Sequence, residues 1–138
     1  MRAVSFLLSA FALPVRAVCY YPNGDVSAQD VPCSDGDTAS VCCGPGMICL
    51  SNRLCKATGN ELQSPAVNSA YVRGTCTDKM WKSGGCPNFC INPRVDELGR
   101  GMPVERCEGD KEWYYCVNEN EPDCDTRENI LVFEGQFN

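Results

Sequence analysis

The sequence predicts a small disulfide-rich fold of short β-strands and coil, with at most one or two short helices and two cysteine-rich modules. Three observations predict it: 12 cysteines in 138 residues, a leading segment laid out like a secretory signal peptide, and a polar cysteine-free stretch between two groups of six cysteines. Such a cysteine frequency in a short secreted chain is typical of a disulfide scaffold. We therefore expect six bridges and no free thiol.

The first 17 residues predict export. Met1-Arg2 give a positive start, residues 3–13 form an apolar run, and Val15-Arg16-Ala17 place small or β-branched residues where signal peptidase acts. The run is too short to span a bilayer, and no later stretch is long enough for a membrane span. We expect cleavage after Ala17, with Ala12 as the weaker alternative. The expected mature protein is secreted and extracellular, without a membrane span.

The cysteines divide the mature chain. The first module is expected in residues 18–56 and the second in residues 71–134, with a Gly-, Asn-, Ser- and Pro-containing linker at 57–70 and a short tail at 135–138. The first group is Cys19, Cys33, Cys42, Cys43, Cys49 and Cys55, and the second is Cys76, Cys86, Cys90, Cys107, Cys116 and Cys124. Their spacings differ, which argues against an internal duplication. We expect each bridge to stay within its group.

In the first module, a β-hairpin is predicted around residues 47–56. Ser51-Asn52 lies between two apolar segments, and Asn tolerates the positive φ that a tight turn requires. The adjacent Cys42 and Cys43 do not pair easily with each other, so each is expected to have a different partner. The residues alone leave the remaining connectivity open.

The second module has weaker signals. Residues 78–82, with Thr77 as N-cap, predict one or two helical turns, whereas residues 113–117 and 129–133 are the strongest strand candidates. Residues 91–106 show little periodicity and are predicted as loop. The expected small core consists of Tyr71, Trp81, Trp113 and residues 130–133.

The composition argues against an enzyme. The chain contains no histidine, which removes histidine-dependent nucleophile activation and histidine-containing zinc sites. Bridged cysteines are poor nucleophiles and poor metal ligands, and the carboxylates lie in loops without a predicted apolar pocket. The acidic stretch 118–125 lacks the spacing of an EF-hand and is predicted as a solvated loop. We therefore expect no catalytic residue, metal site or cofactor.

The charge also restricts the partner. The formal net charge is −6, and it becomes more negative when Arg2 and Arg16 leave with the signal peptide. An acidic surface repels phosphate backbones and anionic lipid heads. We expect a monomer that binds neither nucleic acid nor membranes, with an extracellular protein or a cell-wall polysaccharide as the partner.

Two aromatic clusters are the candidate partner-binding residues. They are Tyr20-Tyr21 and Trp113-Tyr114-Tyr115. Tyr and Trp are favoured interface anchors because they bring large contact area at low entropic cost. Neighbouring strand positions point to opposite faces, however, so at least one aromatic residue of each cluster is expected in the core.

The spacing of the first group, C-x13-C-x8-CC-x5-C-x5-C, resembles knottin and hevein-type modules. In those modules the pairing is first–fourth, second–fifth and third–sixth, and the resemblance implies three bridges: Cys19–Cys43, Cys33–Cys49 and Cys42–Cys55. Hevein-type sugar sites use aromatic residues near the fourth and fifth cysteines. Residues 44–48 hold none here, so the resemblance implies the scaffold without the chitin site.

Seven short motifs resemble a group of uncharacterised cysteine-rich ectodomains of filamentous ascomycete fungi. The motifs are CYYPNG (19–24), CCGPG (42–46), CLSN (49–52), RGTCTDK (73–79), CPNFC (86–90), YYC (114–116) and NILVF (129–133). In many such proteins a Ser/Thr-rich stalk and a transmembrane helix follow. This chain ends five residues after Phe133, which favours a soluble secreted form or an incomplete gene model over a membrane-anchored receptor.

These observations together predict a secreted, non-enzymatic protein that binds another protein outside the cell, as an effector-like fungal factor. A cell-wall or carbohydrate-binding ectodomain is the alternative. A knottin-like protease inhibitor is a third, for which Leu50-Ser51-Asn52-Arg53 is the candidate loop.

Overall fold

The computed structural model describes residues 17–58, 70–109 and 111–133. The predicted signal peptide up to Arg16, most of the predicted linker and the predicted tail lie outside these ranges. Regular structure in the described ranges is β-strand alone, so the expected small disulfide-rich fold of short strands and coil is confirmed. The strands are β1 (Cys19–Tyr20), β2 (Val26–Ser27), β3 (Val31–Pro32), β4 (Val41–Cys43), β5 (Met47–Cys49), β6 (Cys55–Ala57), β7 (Tyr71–Arg73), β8 (Thr75–Cys76), β9 (Met102–Arg106), β10 (Trp113–Cys116) and β11 (Leu131–Val132). Among the described residues, none forms a helix of the length and hydropathy that crossing a bilayer requires.

The strands form two antiparallel sheets. The five-stranded sheet has the order β2-β1-β8-β4-β3, and the six-stranded sheet has the order β11-β10-β9-β7-β6-β5. Both sheets combine strands from both cysteine groups, because β8 pairs with β1 and β4, and β7 pairs with β6. Strands of two or three residues need such neighbours to be stable. The expected linker begins within β6, and the amide of Ala57 donates to the carbonyl of Ala70 at 2.8 Å.

The six bridges use all twelve cysteines, and each stays within its group as expected. They are Cys19–Cys42, Cys33–Cys49, Cys43–Cys55, Cys76–Cys86, Cys90–Cys116 and Cys107–Cys124. No free cysteine remains among the residues described.

The pairing implied by the knottin resemblance is only partly correct. Cys33–Cys49 is confirmed, whereas the implied Cys19–Cys43 and Cys42–Cys55 are wrong because the partners of Cys42 and Cys43 are exchanged. The two residues are neighbours on β4 and therefore point to opposite faces of the five-stranded sheet. The strand register places Cys19 on the same face as Cys42, which fixes their pairing.

The predicted hairpin is present as β5 and β6, but its turn differs from the expectation. The amide of Arg53 donates to the carbonyl of Leu50 at 3.0 Å, and Arg53 has φ 70°, so the positive φ falls on Arg53 instead of Asn52. This is a three-residue hairpin loop, a type I turn followed by a left-handed residue. Asn52 is 1% exposed, and its side-chain oxygen accepts from the amide of Leu54 at 3.0 Å.

The helix predicted at residues 78–82 is absent, which corrects that expectation. The carboxylate of Asp78 accepts hydrogen bonds from the amides of Met80, Lys82 and Ser83 at 3.1, 2.9 and 2.9 Å. Trp81 has φ 55°, which is incompatible with a right-handed helix. A short polar side chain thus offers the backbone donors an alternative to helical pairing. The same hydrogen bonds lower the pKa of Asp78, with that to Ser83 first.

The strand candidates at 113–117 and 129–133 are confirmed in shorter form as β10 and β11. The predicted loop at 91–106 is wrong at its end, because Met102–Arg106 forms β9 between β10 and β7. This strand was not predicted because it contains Pro103 and directly follows Gly101, and both residue types are disfavoured in strand interiors.

The core lies under the six-stranded sheet. Its buried members are Leu54, Phe89, Cys90, Met102, Val104, Tyr114 and Phe133. The Tyr114 ring makes edge contacts with Tyr71 at 5.1 Å and with Phe133 at 5.6 Å between centroids. Trp81 is buried as expected, in a second cluster with Cys76 and Cys86. Trp113, also expected in the core, is half-buried on the other face.

Arg73 is a buried cation and is 0% exposed. Its guanidinium donates to four backbone carbonyls: Cys90 at 2.8 Å, Glu97 at 3.0 and 3.1 Å, Arg100 at 2.7 Å and Gly74 at 3.3 Å. Burial lowers the pKa of Arg73 to about 10, while Asp96 and Tyr21 act in the opposite direction. The side chain thereby fixes the strand-free segment between Cys90 and Gly101 onto the sheet.

We expect the two halves to stay together without a covalent link. A recognition sequence for a site-specific protease, inserted after Asn60, would allow the chain to be cut between the two cysteine groups. Because the strands of both halves share both sheets, the cut protein should elute as one species in native size-exclusion chromatography. It should separate into two pieces in concentrated guanidinium chloride without reductant, since every bridge lies within one half.

The uncut insertion variant is the control for the effect of the insertion itself. Separation of the two pieces in native buffer would contradict the shared sheets and would support two self-contained modules.

Candidate binding surface

β10 places its aromatic residues on two faces of the six-stranded sheet. Tyr114 points into the core and is 3% exposed, and its hydroxyl donates to Oε2 of Glu112 at 2.6 Å. Burial, with this hydrogen bond, raises the pKa of Tyr114 above its usual value. Trp113 and Tyr115 lie on the opposite face and are half-buried. Tyr114 therefore stabilises the core, as the alternation rule requires of one member of the cluster.

The strand register surrounds Trp113 and Tyr115 with apolar neighbours. Trp113 pairs with Val132, Val72 pairs with Pro103, and the amide of Val117 donates to the carbonyl of Pro103 at 3.0 Å. We name this surface the aromatic strip; its residues are Val72, Pro103, Trp113, Tyr115, Val117 and Val132. Val117 is 40% exposed and the others are half-buried.

Charged side chains hold both rings of the aromatic strip. Nζ of Lys111 lies 4.3 Å from the centroid of a Trp113 ring, and Cζ of Arg127 lies 5.9 Å from it. The hydroxyl of Tyr115 donates to Oε2 of Glu105 at 2.6 Å, and this bond raises the pKa of Tyr115. Glu105 is the cross-strand partner of Tyr115, so the hydrogen bond is built into the register. The two rings are thus positioned on a sheet before any partner binds.

The other aromatic cluster lies on the five-stranded sheet. Tyr20 is in β1, its carbonyl accepts from Nε1 of Trp81 at 3.0 Å, and its ring is 6.0 Å from Nζ of Lys79. Tyr21 begins a turn in which its amide donates to the carbonyl of Asp25 at 2.8 Å. Both tyrosines are half-buried. The structure therefore brings Trp113 and Tyr115 together, and it places Tyr20 in the other sheet and Tyr21 in the turn that follows β1.

An amide-lined cleft lies beside β11. It encloses about 250 Å³, and its lining is Asn92, Val95, Asp96, Cys116, Asn118, Asn120, Asn129, Ile130 and Leu131. Nδ2 of Asn118 donates to Oδ1 of Asp96 at 2.7 Å, and Oδ2 of Asp96 accepts from the amide of Asn92 at 2.9 Å. Sequence reasoning missed this cleft because its polar residues come from two separate loops, the β8–β9 and β10–β11 connections. The closely spaced asparagines at 118 and 120 were the only local signal.

Among the described residues, three cysteines lie close enough together to be considered as metal ligands, but they are bridged. Sγ atoms of Cys33, Cys43 and Cys49 lie within 4.8 Å of one another, but all three belong to bridges and are not thiolates. In the acidic stretch, the carboxylate of Asp123 accepts from the amides of Asp125 at 2.9 Å and Thr126 at 3.0 Å. These hydrogen bonds, that to Thr126 first, lower the pKa of Asp123. Its carboxylate closes a turn.

The candidate inhibitory loop, residues 50–53, is the tight turn of the β5–β6 hairpin. Asn52 is buried, and Nη1 of Arg53 donates to the carbonyl of Gly84. Ser51 is the exposed residue of this loop. The loop therefore offers no extended segment to a protease cleft.

The six bridges also indicate where the protein exists. Disulfides persist in oxidising compartments, so the bridges indicate an oxidising environment such as the extracellular space. Neither family models, nor curated proteins, nor solved structures give a match to the chain.

Proposed function

We propose that this is a secreted, non-enzymatic protein that acts outside the cell by binding another protein through the aromatic strip. The observation that carries the proposal is the pair Trp113 and Tyr115, half-exposed side by side on one face of a disulfide-tied sheet. Large aromatic side chains with few rotatable bonds lose little entropy on binding. Their hydrogen bond and cation contacts reduce that cost further.

The charges beside Trp113 support a partner of a particular chemistry. Lys111 and Arg127 lie on this edge of an otherwise acidic protein. A partner that presents an apolar side chain flanked by carboxylates would bury the apolar group against Trp113 and Val132. Its carboxylates would then meet the two cations. Such charge complementarity increases association rate and specificity.

The same contacts disfavour a sugar at the aromatic strip. Stacking on a sugar ring requires an open aromatic face, whereas an ammonium group already lies 4.3 Å from the Trp113 centroid. The resemblance to fungal ectodomains extends the proposal to an effector-like factor of a plant-associated fungus. The partner would then be a protein of the host extracellular fluid.

We expect the Trp113→Ser/Tyr115→Ser variant to lose its partner. The wild-type protein, immobilised, should retain a host extracellular protein, and the variant should bind that protein at least about tenfold more weakly, as loss of two interface anchors does. Surface plasmon resonance with the purified partner measures the difference. The partner's carboxylates should make binding weaken as salt is raised.

Tyr20→Ser/Tyr21→Ser is the matched control, because it removes two half-buried aromatic residues from β1 and the turn that follows it. It should bind like the wild type. Equal binding by both variants, or loss in the control alone, would refute the aromatic strip as the binding surface.

A carbohydrate is the second candidate ligand, and the amide-lined cleft favours it. Asparagine side chains offer both donors and acceptors to hydroxyl groups, and the cleft volume suits a ligand of about one sugar unit. Titration with soluble chitin and glucan oligosaccharides tests it. Binding that Asn120→Ala abolishes and Trp113→Ser/Tyr115→Ser preserves would favour this candidate over the first.

A further inference from the structure

Two disulfide bridges of the first group lie against each other. Sγ of Cys33, from the bridge Cys33–Cys49, is 3.6 Å from Sγ of Cys43, from the bridge Cys43–Cys55. Sγ of Cys49 is within 4.8 Å of both. A thiolate released at Cys33 would therefore lie next to the second bridge, within reach of attack.

The two remaining cysteines are also placed as a pair. Cys49 and Cys55 are direct cross-strand partners in the β5–β6 hairpin. The next pair toward the turn is hydrogen-bonded, since the amide of Leu50 donates to the carbonyl of Leu54 at 2.9 Å. Pairs alternate in antiparallel strands, so Cys49 and Cys55 form a non-hydrogen-bonded pair, with Cα atoms about 4.5 Å apart. That spacing lies within the range of a disulfide.

We propose that these four cysteines form a thiol–disulfide exchange site with two bridged forms. The present form is Cys33–Cys49 with Cys43–Cys55, and the second form is Cys33–Cys43 with Cys49–Cys55. The co-reactant is a small extracellular thiol of the glutathione class. This site is independent of the proposed protein-binding function.

The exchange balances in three steps. The thiolate of the small thiol attacks Sγ of Cys49, the Cys33–Cys49 bond breaks, and Cys33 leaves as a thiolate. The Cys33 thiolate attacks Sγ of Cys43, and the Cys43–Cys55 bond breaks to release the thiolate of Cys55. The Cys55 thiolate then attacks Sγ of Cys49 and expels the small thiol. Nothing is oxidised or reduced overall, and the thiol acts as a catalyst.

The burial of the four residues sets the order of these steps. Cys49 is exposed and Cys33 is half-buried, whereas Cys43 is 3% and Cys55 0% exposed. A thiol in solution can reach Cys49 but not the second bridge. Access to Cys43 is therefore through Cys33, the neighbour already in contact with it.

The exchange would change what joins the two sheets. Cys43 is in β4 and Cys55 in β6, so this bridge links the five-stranded sheet to the six-stranded sheet. Cys33 directly follows β3 and Cys49 is in β5, so the second bridge also links the sheets. In the second form, Cys33–Cys43 lies within the five-stranded sheet and Cys49–Cys55 lies within the six-stranded sheet. The exchange would thus remove both of these disulfide links between the sheets.

Peptide mapping tests the exchange in the intact oxidised protein. The protein is incubated with reduced glutathione at neutral pH, quenched with acid and blocked with an alkylating agent. Cyanogen bromide then cleaves after Met47, and trypsin cleaves after Arg53 and Lys56. In the present form, peptide 48–53 is linked to the peptide that carries Cys33. In the second form, it is linked to peptide 54–56.

We expect the 48–53/54–56 species to be absent at the start and to increase with time and glutathione concentration, while Cys76–Cys86 stays intact. Cys43→Ser/Cys55→Ser should not form it and should retain glutathione on Cys49. The remote control, Cys107→Ser/Cys124→Ser, should still exchange.

Two results would overturn the proposal. One is a wild-type protein in which the 48–53/54–56 species does not form, whether or not Cys49 takes up glutathione. The other is formation of that species only together with scrambling of Cys76–Cys86, which would indicate general unfolding.

Discussion

Arg73→Met is expected to destabilise the protein by at least about 3 kcal/mol, because several buried carbonyls lose their donor at once and each unsatisfied group costs about 1–3 kcal/mol. The four acceptors are distributed over Gly74 and the segment from Cys90 to Arg100. The expected result is a lower denaturant midpoint and loss of amide protection across residues 90–101. Chemical denaturation of the oxidised protein and hydrogen exchange measure the two effects.

Arg94→Met is the matched control, since Arg94 lies in the same segment and is exposed. Arg73→Lys keeps the charge but loses the planar fork, and three donors cannot serve the same carbonyls in the same geometry. The denaturant midpoint of Arg73→Lys should lie between those of the wild type and Arg73→Met. If Arg73→Met were as stable as Arg94→Met, the guanidinium would not be what fixes this segment.

Complete reduction is expected to unfold both halves together. Six bridges at typically about 2–4 kcal/mol each contribute as much as, or more than, the net stability of about 5–15 kcal/mol of a folded domain. Because β8 and β7 belong to sheets shared with the first half, the second half loses its neighbours when the first half unfolds. Amide signals of both halves should lose their dispersion in one transition as reductant is added.

The oxidised protein in the same buffer is the control. Persistence of dispersed signals from the Trp113 and Phe133 region after the signals of residues 19–57 have collapsed would show an independent second core. That outcome would contradict the shared sheets.

Local sequence signals predicted the strands that carry strong local patterns. Residues 113–116 and 131–132 are aromatic or branched, and the hairpin has a turn between two apolar segments, so their conformation follows from neighbours along the chain. The five-stranded sheet was not predictable in this way, because strands of two or three residues are defined by their partners. β9 contains Pro103 and shows little periodicity; its place between β10 and β7 comes from pairing.

The cysteine pairing shows the same limit. The number of bridges and the grouping follow from counting, and both are confirmed. Which of Cys42 and Cys43 faces Cys19 depends on the register of β4 against β8, and one residue of register exchanges the two. A resemblance in spacing does not contain that register.

The sequence could predict the aromatic residues of the candidate surface but not their neighbours on other strands. Alternation required one member of the 113–115 cluster to be buried, and Tyr114 is that residue. The apolar neighbours Val72, Pro103 and Val132 lie on three other strands, and only the pairing of those strands in the sheet brings them near Trp113 and Tyr115. The amide-lined cleft depends equally on the meeting of distant loops.

The central position of β8 has a consequence for biosynthesis. Tyr20 in β1 and Val41 in β4 both pair with Cys76, which the ribosome adds long after either of them. Until Cys76 has been delivered, these edges have no strand between them, and their amides and carbonyls must be satisfied by water or by a chaperone. The five-stranded sheet therefore remains incomplete until β8, in the half that is synthesised second, has been added.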